Sequence, residues 1–166
     1  MIRLLIIPVF AFIVVAAHAD PVKKAITDPV KLARECAEVF VKACLDSKPD
    51  DAAVLCATPF RGPDGDKQEK IEDVRNILAV KPPDGIKMEV GEPVPLDKFN
   101  SLLKKIVAKE LNENELKNYA EYLGKDCRMV ALHTTIKGNP LPFNRPLLLL
   151  IGFRDDKAKI VGMGGP

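Results

Sequence analysis

The sequence predicts an α+β protein in which N-terminal helices pack on an antiparallel sheet. Two observations lead to this fold class. Apolar residues recur at helical spacing over much of the first part of the chain, whereas β-branched and apolar runs separated by tight turns dominate from residue 128 onward. Helices therefore lead and strands follow, an order typical of α+β proteins. No internal repeat and no long linker interrupts the chain, which favours one domain over residues 20–166.

Caps and apolar stripes mark the predicted helices. Asp28 and Pro29 suit the N-cap and first position of a helix that continues through Cys44. A short second helix is predicted through Cys56, and it ends before Pro59 because the residue preceding a proline disfavours helical backbone. The apolar spacing also predicts helices around residues 71–78, 97–107 and 112–123.

Period-two alternation and apolar runs mark the predicted strands. Residues 86–90 alternate, and Pro93 and Pro95 follow, which indicates an edge strand. Residues 128–137 are rich in β-branched side chains, and a last strand is expected near residues 159–162.

The apolar run at residues 147–153 does not alternate. It therefore predicts a central strand covered on both faces, with residues 148–151 the most buried segment. Asp155 and Asp156 follow this strand directly, and we interpret them as turn residues rather than as a catalytic carboxylate pair.

The first 19 residues have the pattern of a secretion signal. Arg3 is their only charge, residues 4–17 contain no polar side chain, and the small-x-small site Ala17-His18-Ala19 precedes Asp20. The apolar run of 14 residues contains a proline and is shorter than the roughly 20 residues that a membrane-spanning helix needs. We expect cleavage between Ala19 and Asp20, which leaves no membrane anchor and sends the protein to the periplasm or the extracellular space.

The predicted mature chain is electrostatically almost neutral. Removing 19 of 166 residues leaves 147, with 24 basic and 23 acidic side chains and a net charge of +1. No cluster of Lys or Arg dominates any stretch, so the composition does not indicate a nucleic-acid partner. Small ligands, protein partners and self-association remain open, and no cofactor is expected.

Four cysteines in a predicted exported chain are disulfide candidates: Cys36, Cys44, Cys56 and Cys127. Cys36 and Cys44 lie eight residues apart on one predicted helix, about 12 Å along its axis, which is too far for a disulfide. Two full pairings remain open, namely Cys36 with Cys127 and Cys44 with Cys56, or Cys36 with Cys56 and Cys44 with Cys127. Buried free thiols are the alternative. A metal site is not expected because no closely spaced ligand pair is present.

Residues 32–55 are predicted leading helices followed by Thr58-Pro59-Phe60, and residues 147–162 are a predicted closing hairpin. In these elements and their order, the chain resembles the NTF2-like or SnoaL-like superfamily. The resemblance covers about a third of the mature chain, and Ala158 and a long helical insert at residues 97–124 depart from the family pattern. The resemblance implies a curved, cone-like sheet around an internal pocket. The superfamily includes enzymes, ligand binders and interaction modules.

His133 is the only histidine of the mature chain and the one candidate for a general base. No nucleophile motif accompanies it, so a histidine with no catalytic task on a strand is the favoured interpretation. Tyr119 and Tyr122 lie three residues apart on one predicted helix and could line a pocket. We therefore expect a non-catalytic domain that binds a small apolar ligand or a protein partner. The alternative is an isomerase or lyase that uses His133 in an internal pocket.

Overall fold

The computed structural model describes residues 28–63, 65–99, 101, 113–124, 126–140 and 147–164. Its helices are α1 (Pro29–Leu45), α2 (Pro49–Val54), α3 (Ile71–Leu78) and α4 (Glu113–Leu123), with a 3-10 turn at Leu96–Lys98. Its strands are β1 (Cys56–Arg61), β2 (Lys67–Gln68), β3 (Ile86–Val90), β4 (Val94–Pro95), β5 (Arg128–Ile136), β6 (Asn139–Pro140), β7 (Leu147–Arg154) and β8 (Lys157–Gly164). Within these ranges, no helix is long and apolar enough to cross a membrane.

The strands form one open sheet in the order β2-β1-β8-β7-β5-β3, and β4 and β6 pair with β5. The α+β class is confirmed. Every strand pairing in the described chain is antiparallel except that of β1 with β8, which is parallel. Parallel neighbours need a long crossover connection, and here residues 62–156 lie between the two strands. The sheet is thus mixed, where the sequence predicts a purely antiparallel one.

Helix α1 begins as its sequence predicts. The Asp28 Oδ1 atom accepts a hydrogen bond from the Lys31 backbone N–H at 2.9 Å, and Pro29 occupies the first helical turn. Small side chains such as Ala33 and Ala37 lie on its buried stripe and are fully buried. They allow the helix to lie close to the sheet, where it contacts β8, β5 and β3.

The predicted extent of the second helix is wrong at its C-terminal end. Helix α2 ends at Val54, and Cys56 begins strand β1 opposite Ile160 of β8. The backbone N–H of Ile160 also donates to the Leu55 carbonyl oxygen at 2.9 Å. Pairing with a strand distant in sequence therefore overrides the local helical tendency of this segment.

Strand β7 lies in the interior of the sheet, between β8 and β5. Its residues 148–151 are all buried, and their side chains alternate between two apolar clusters. Leu149 and Ile151 belong to the cluster under α1, α2 and α3, on what we call the first face. Leu148 and Leu150 belong to the cluster on the opposite, second face. The prediction of a central strand covered on both sides is confirmed.

The two clusters contain the buried apolar core of the described chain. The cluster on the first face consists of Ala33, Cys36, Ala37, Phe40, Val41, Ala43, Ala52, Ala53, Cys56, Phe60, Val74, Leu78, Val130, Leu132, Leu149, Ile151 and Ile160. The cluster on the second face consists of Phe99, Leu123, Cys127, Met129, Ala131, Leu148, Leu150 and Val161. Among the described residues, no polar or charged residue is buried.

Asp155 and Asp156 form the two-residue turn between β7 and β8, as predicted. Their backbone φ angles are 50° and 60°, and the flanking residues Arg154 and Lys157 are paired. Positive φ at both central positions is typical of the tight hairpin turn that matches the twist of antiparallel strands, and aspartate tolerates this conformation. Both side chains are exposed.

Candidate functional site

His133 lies on β5, on the second face of the sheet, and its side chain is exposed. The register of β3 with β5 pairs His133 with Glu89, so the two residues occupy neighbouring positions on the same face. Further along the same strands, Thr135 is paired with Lys87. The candidate base therefore has an acidic neighbour, but both groups lie on an accessible part of the sheet rather than in the apolar interior.

Tyr122 of α4 does not lie beside His133. Its hydroxyl contacts the carbonyl oxygens of Pro59 in β1 and of Val161 in β8, the second at 3.2 Å. Burial raises the pKa of the Tyr122 hydroxyl, and the nearby guanidinium groups of Arg61 and Arg154 oppose that rise. This tyrosine joins α4 to two strands and remains protonated at neutral pH. The side chain of Tyr119 lies outside the described residues.

All four cysteines are free thiols in the structure. Cys36, Cys56 and the half-buried Cys44 belong to the apolar layer of the first face, and Cys127 belongs to the cluster of the second face. Burial raises the pKa of Cys36, Cys44 and Cys127 to about 11 and that of Cys56 to about 12. Since the thiolate is the reactive form, these side chains are poor nucleophiles at neutral pH.

Ligands for a metal ion do not come together in the part of the chain that the structure describes. No group of three or more His, Cys, Asp or Glu side chains there has the arrangement needed to hold a metal. The predicted signal cleavage site between Ala19 and Asp20 lies outside the described residues.

A strip of half-buried apolar side chains lies at the β3 edge of the first face. We call it the apolar margin, and it consists of Ile86, Met88 and Val90 of β3 and Ile136 of β5. Met88 and Val90 pack against the buried cluster of the first face but retain accessible surface. β3 is the last strand of the sheet order, so these side chains lie where the sheet ends.

The apolar margin was not identified from the sequence as a site. The alternation of Ile86, Met88 and Val90 with Lys87 and Glu89 predicts a half-buried strand, and this is confirmed. The alternation alone does not show that Ile136 extends the same strip. That follows from the register, which pairs Ile86 with Ile136.

The chain matches no protein-family model and no curated protein sequence. Among solved structures, it is similar to an NTF2-like protein of unknown function from Cytophaga hutchinsonii, with 13% identity and a TM-score of 0.42 over 80% of this chain and 86% of that one. It is similar to a candidate ketosteroid isomerase from Kribbella flavida, with 11% identity and a TM-score of 0.47 over 82% and 79% of the two chains. An uncharacterised cystatin-fold protein from Novosphingobium aromaticivorans has 15% identity and a TM-score of 0.43 over 79% and 96%. The NTF2-like resemblance of the sequence is consistent with these neighbours, which concern the fold alone and assign no residue a role.

Proposed function

We propose that this protein is a non-catalytic binding domain and that the apolar margin is its binding surface. The proposal rests on the contrast between the buried apolar core and this partly accessible strip. The described interior contains no buried polar or charged residue, whereas Ile86, Met88, Val90 and Ile136 keep accessible apolar surface on neighbouring positions of β3 and β5. Burying such surface under a ligand is favourable, at roughly 25 cal/mol per Å².

The chemistry of the margin favours an apolar occupant. Its accessible side chains are aliphatic except for the thioether of Met88, which adapts to ligands of different shape. The charged residues of β3, Lys87 and Glu89, point to the opposite face and would not contact a ligand on the first face. A small apolar molecule, an apolar side chain of a partner or the margin of a second copy of this chain would each bury the strip.

A pair of variants on adjacent residues of β3 tests the proposal. Met88→Glu places a charge within the margin, and Lys87→Glu changes the charge of the same strand on the other face. Binding of a fluorescent apolar probe is measured by titration, and self-association is measured by light scattering. We expect Met88→Glu to weaken probe binding at least about tenfold, a loss of about 1.4 kcal/mol, and Lys87→Glu to leave it nearly unchanged.

The outcomes separate the possible occupants. If the wild-type protein is a dimer that Met88→Glu dissociates, the occupant is a second copy. If the wild-type protein is a monomer that binds the probe, the occupant is a small molecule or another protein. Equal probe binding by the wild-type protein and Met88→Glu would contradict the proposal.

A second candidate function rests on the juxtaposition of His133 and Glu89. A histidine with a carboxylate at the paired position of the neighbouring strand is an arrangement that an isomerase would use for proton abstraction. The test is catalysed hydrogen–deuterium exchange at the acidic carbon of a panel of simple ketones, followed by NMR. This candidate requires exchange above the buffer rate that His133→Ala abolishes. Identical rates for the wild-type protein and His133→Ala would exclude it.

Export is also part of the proposal. The small-x-small site after the apolar run of residues 4–17 supports removal of the first 19 residues in a host with a secretion pathway. Intact-mass measurement of the protein recovered outside the cytoplasm should give a chain that begins at Asp20. A mass that includes residues 1–19 would contradict cleavage.

A further inference from the structure

We propose that strand β3 pairs edge to edge with β3 of a second copy of this chain, in an antiparallel arrangement whose two-fold axis passes beside Met88. The inference goes beyond the proposed binding function, because it concerns the backbone edge of β3 and the charges on its second face. It holds or fails independently of ligand binding at the apolar margin.

The outer edge of β3 is open in the described part of the chain. β3 ends the sheet order, and β5 is its only strand partner among the described residues. Unpaired backbone groups at a sheet edge are a template for another strand. Pro83 and Pro93 lie five residues before and after Met88, and each limits the segment that can pair because proline has no N–H to donate. The available segment is therefore centred on Met88.

The hydrogen bonds to β5 show which backbone groups of β3 point inward. The Gly91 N–H donates to the Ala131 carbonyl oxygen at 2.8 Å, and the Lys137 N–H donates to the Gly85 carbonyl oxygen at 3.0 Å. In an antiparallel ladder, hydrogen-bonded positions recur at every second residue. The odd-numbered positions between Gly85 and Gly91 therefore direct their backbone groups toward β5, and the even-numbered positions direct theirs outward.

The outward positions are Ile86, Met88 and Val90. The Ile86 N–H donates to the Pro83 carbonyl oxygen at 3.3 Å, which leaves the Ile86 carbonyl oxygen and both backbone groups of Met88 and Val90 for another strand. A second β3 centred on Met88 matches these groups. The N–H groups of Met88 and Val90 in each copy then donate to the carbonyl oxygens of Met88 and Ile86 in the other.

The charges of β3 complement themselves in this arrangement. Lys87 and Glu89 are exposed on the second face, and neither belongs to an ion pair of the described chain. Pairing about Met88 places Lys87 of each copy opposite Glu89 of the other. These are non-hydrogen-bonded positions, where Cα atoms are only about 4.5 Å apart and side chains come closest. Opposite charges at such positions stabilise the pairing.

The same charges disfavour the neighbouring registers. A two-fold axis beside Lys87 would place Lys87 of the two copies opposite each other, and an axis beside Glu89 would do the same to Glu89. Like charges directly opposite each other are destabilising. The charge pattern therefore selects the register centred on Met88, which is also the centre of the segment between the two prolines.

This register has a consequence for the first face. It sets Met88 beside Met88 of the second copy and Ile86 opposite Val90, so the two apolar margins become one continuous strip across the two-fold axis. Each copy contributes one short strand to the interface. Since stable complexes usually bury at least about 1,000 Å², we expect a reversible dimer whose population depends on protein concentration.

The test exchanges the two charges. Sedimentation velocity of the purified protein over a series of concentrations gives the dimer dissociation constant. Lys87→Glu and Glu89→Lys each turn both symmetric pairs into like charges, so each should raise this constant at least about tenfold. The double variant restores opposite charges and should return the constant to within about threefold of the wild-type value. An equimolar mixture of the two single variants should form a heterodimer, because an acidic edge then faces a basic one.

A matched control makes the same charge change elsewhere. Lys157→Glu lies at the exposed hairpin between β7 and β8 and should leave the dissociation constant unchanged. Circular dichroism checks that each variant is folded. If one single variant does not fold, the other single variant and the double variant decide the matter.

The outcomes separate this proposal from the proposed binding function. A wild-type protein that is monomeric at every concentration would overturn edge pairing, and so would a dimer that both single variants leave intact. Single variants that weaken the dimer without rescue in the double variant would also overturn it. A dimer that Met88→Glu dissociates but Lys87→Glu does not would indicate burial of the margins against each other. Binding of the apolar probe by a monomeric Lys87→Glu variant would support the margin as a binding surface whichever way the pairing test falls.

Discussion

The two faces of the sheet are covered in different ways. On the first face, α1 and α2 contribute small side chains such as Ala33, Ala37 and Ala52, so helical backbone lies close to the strands. On the second face, the cover consists of a few large side chains from separate segments, chiefly Phe99 and Leu123. On the first face, the helices cover the central strands fully but cover the β3 edge only in part. The apolar margin is this partly covered edge.

The largest effects should come from truncating the central strand toward either face. Leu149 is fully buried on the first face and Leu148 is 9% exposed on the second. Each change to alanine should lower the free energy of unfolding by about 2–5 kcal/mol, because each removes buried methyl groups and leaves a cavity. Urea melts of Leu149→Ala and Leu148→Ala provide the measurement.

A large loss of unfolding free energy in only one of these two variants would contradict the conclusion that β7 is well packed on both faces. It would mean that the face bearing the tolerant residue is poorly packed in solution. The urea m-value serves as the control, because an unchanged m-value shows that the loss reflects native stability rather than a change in the surface exposed on unfolding.

The thiols should make the first face more sensitive to alkaline pH than the second. Burial raises the pKa of all four cysteines to about 11–12, whereas an unfolded thiol titrates near about 8.5. The native state thus keeps protons that the unfolded state releases. The stability that these thiols contribute is complete below about pH 8.5 and is lost as the pH rises toward 12.

Matched variants isolate this effect from other groups that titrate at high pH. Under reducing conditions, Cys127→Ala keeps the three thiols of the first face, and the triple alanine variant of Cys36, Cys44 and Cys56 keeps only Cys127. The free energy of unfolding should fall more steeply between pH 8.5 and 11 in Cys127→Ala. Equal slopes in the two variants would show that the thiols of the first face are not buried as the structure has them.

A smaller effect should follow from crowding the junction of β3 with β5. A Cβ atom added at Gly91 would lie 2.8 Å from the Ala131 carbonyl oxygen, which is closer than real Cβ contacts come. Gly91→Ala should therefore cost about 1–3 kcal/mol through a backbone shift. At Gly164, the corresponding atom would meet only Leu148 Cβ at an ordinary 3.8 Å, so Gly164→Ala is the matched control. Equal stabilities of the two variants in urea would contradict the close approach.

How much of this could be predicted from the sequence differs between the two faces. The first face rests largely on α1, whose cap at Asp28 and apolar stripe are continuous in the sequence, and the prediction of this helix is confirmed. The cover of the second face comes from Phe99, Leu123 and Cys127, which no local period connects. Only the tertiary fold brings such residues together, so the sequence predicts that β7 is covered on that side without showing what covers it.

The candidate site shows the same limit. His133 stands out in the sequence because no other histidine follows the predicted signal. Its neighbour Glu89 depends on the register of two strands more than 40 residues apart, and strand register is set by packing over the whole sheet. The parallel pairing of β1 with β8 is equally long-range, which is why the local sequence pattern predicts a helix at Cys56.

A modest effect should follow from removing the hydroxyl that joins α4 to the second face. In Tyr122→Phe, the ring stays in place, but the carbonyl oxygens of Pro59 and Val161 lose a shared hydrogen-bond donor. The free energy of unfolding should fall by about 1 kcal/mol, the typical net value of one hydrogen bond. Urea melts of Tyr122→Phe beside the wild-type protein measure it. A change near zero would mean that the docking of α4 depends on the Tyr122 ring and on Leu123 rather than on the hydroxyl.

The smallest effect is expected at His133, which lies on the same face of the same strand as the buried residues Met129 and Ala131. Its side chain is exposed, because the cover of the second face ends between Ala131 and this position. An exposed strand residue that anchors no buried contact usually changes stability by no more than about 0.5 kcal/mol when replaced. His133→Ala should therefore unfold within that range of the wild-type protein, whereas Met129→Ala should lose about 2–5 kcal/mol, as buried methionines do. Parallel urea melts of the two variants give the comparison at two positions of one strand. If the His133→Ala variant is strongly destabilised, the cover of the second face extends further along β5, and the His133–Glu89 pair lies in an enclosed site of the kind that the isomerase alternative requires.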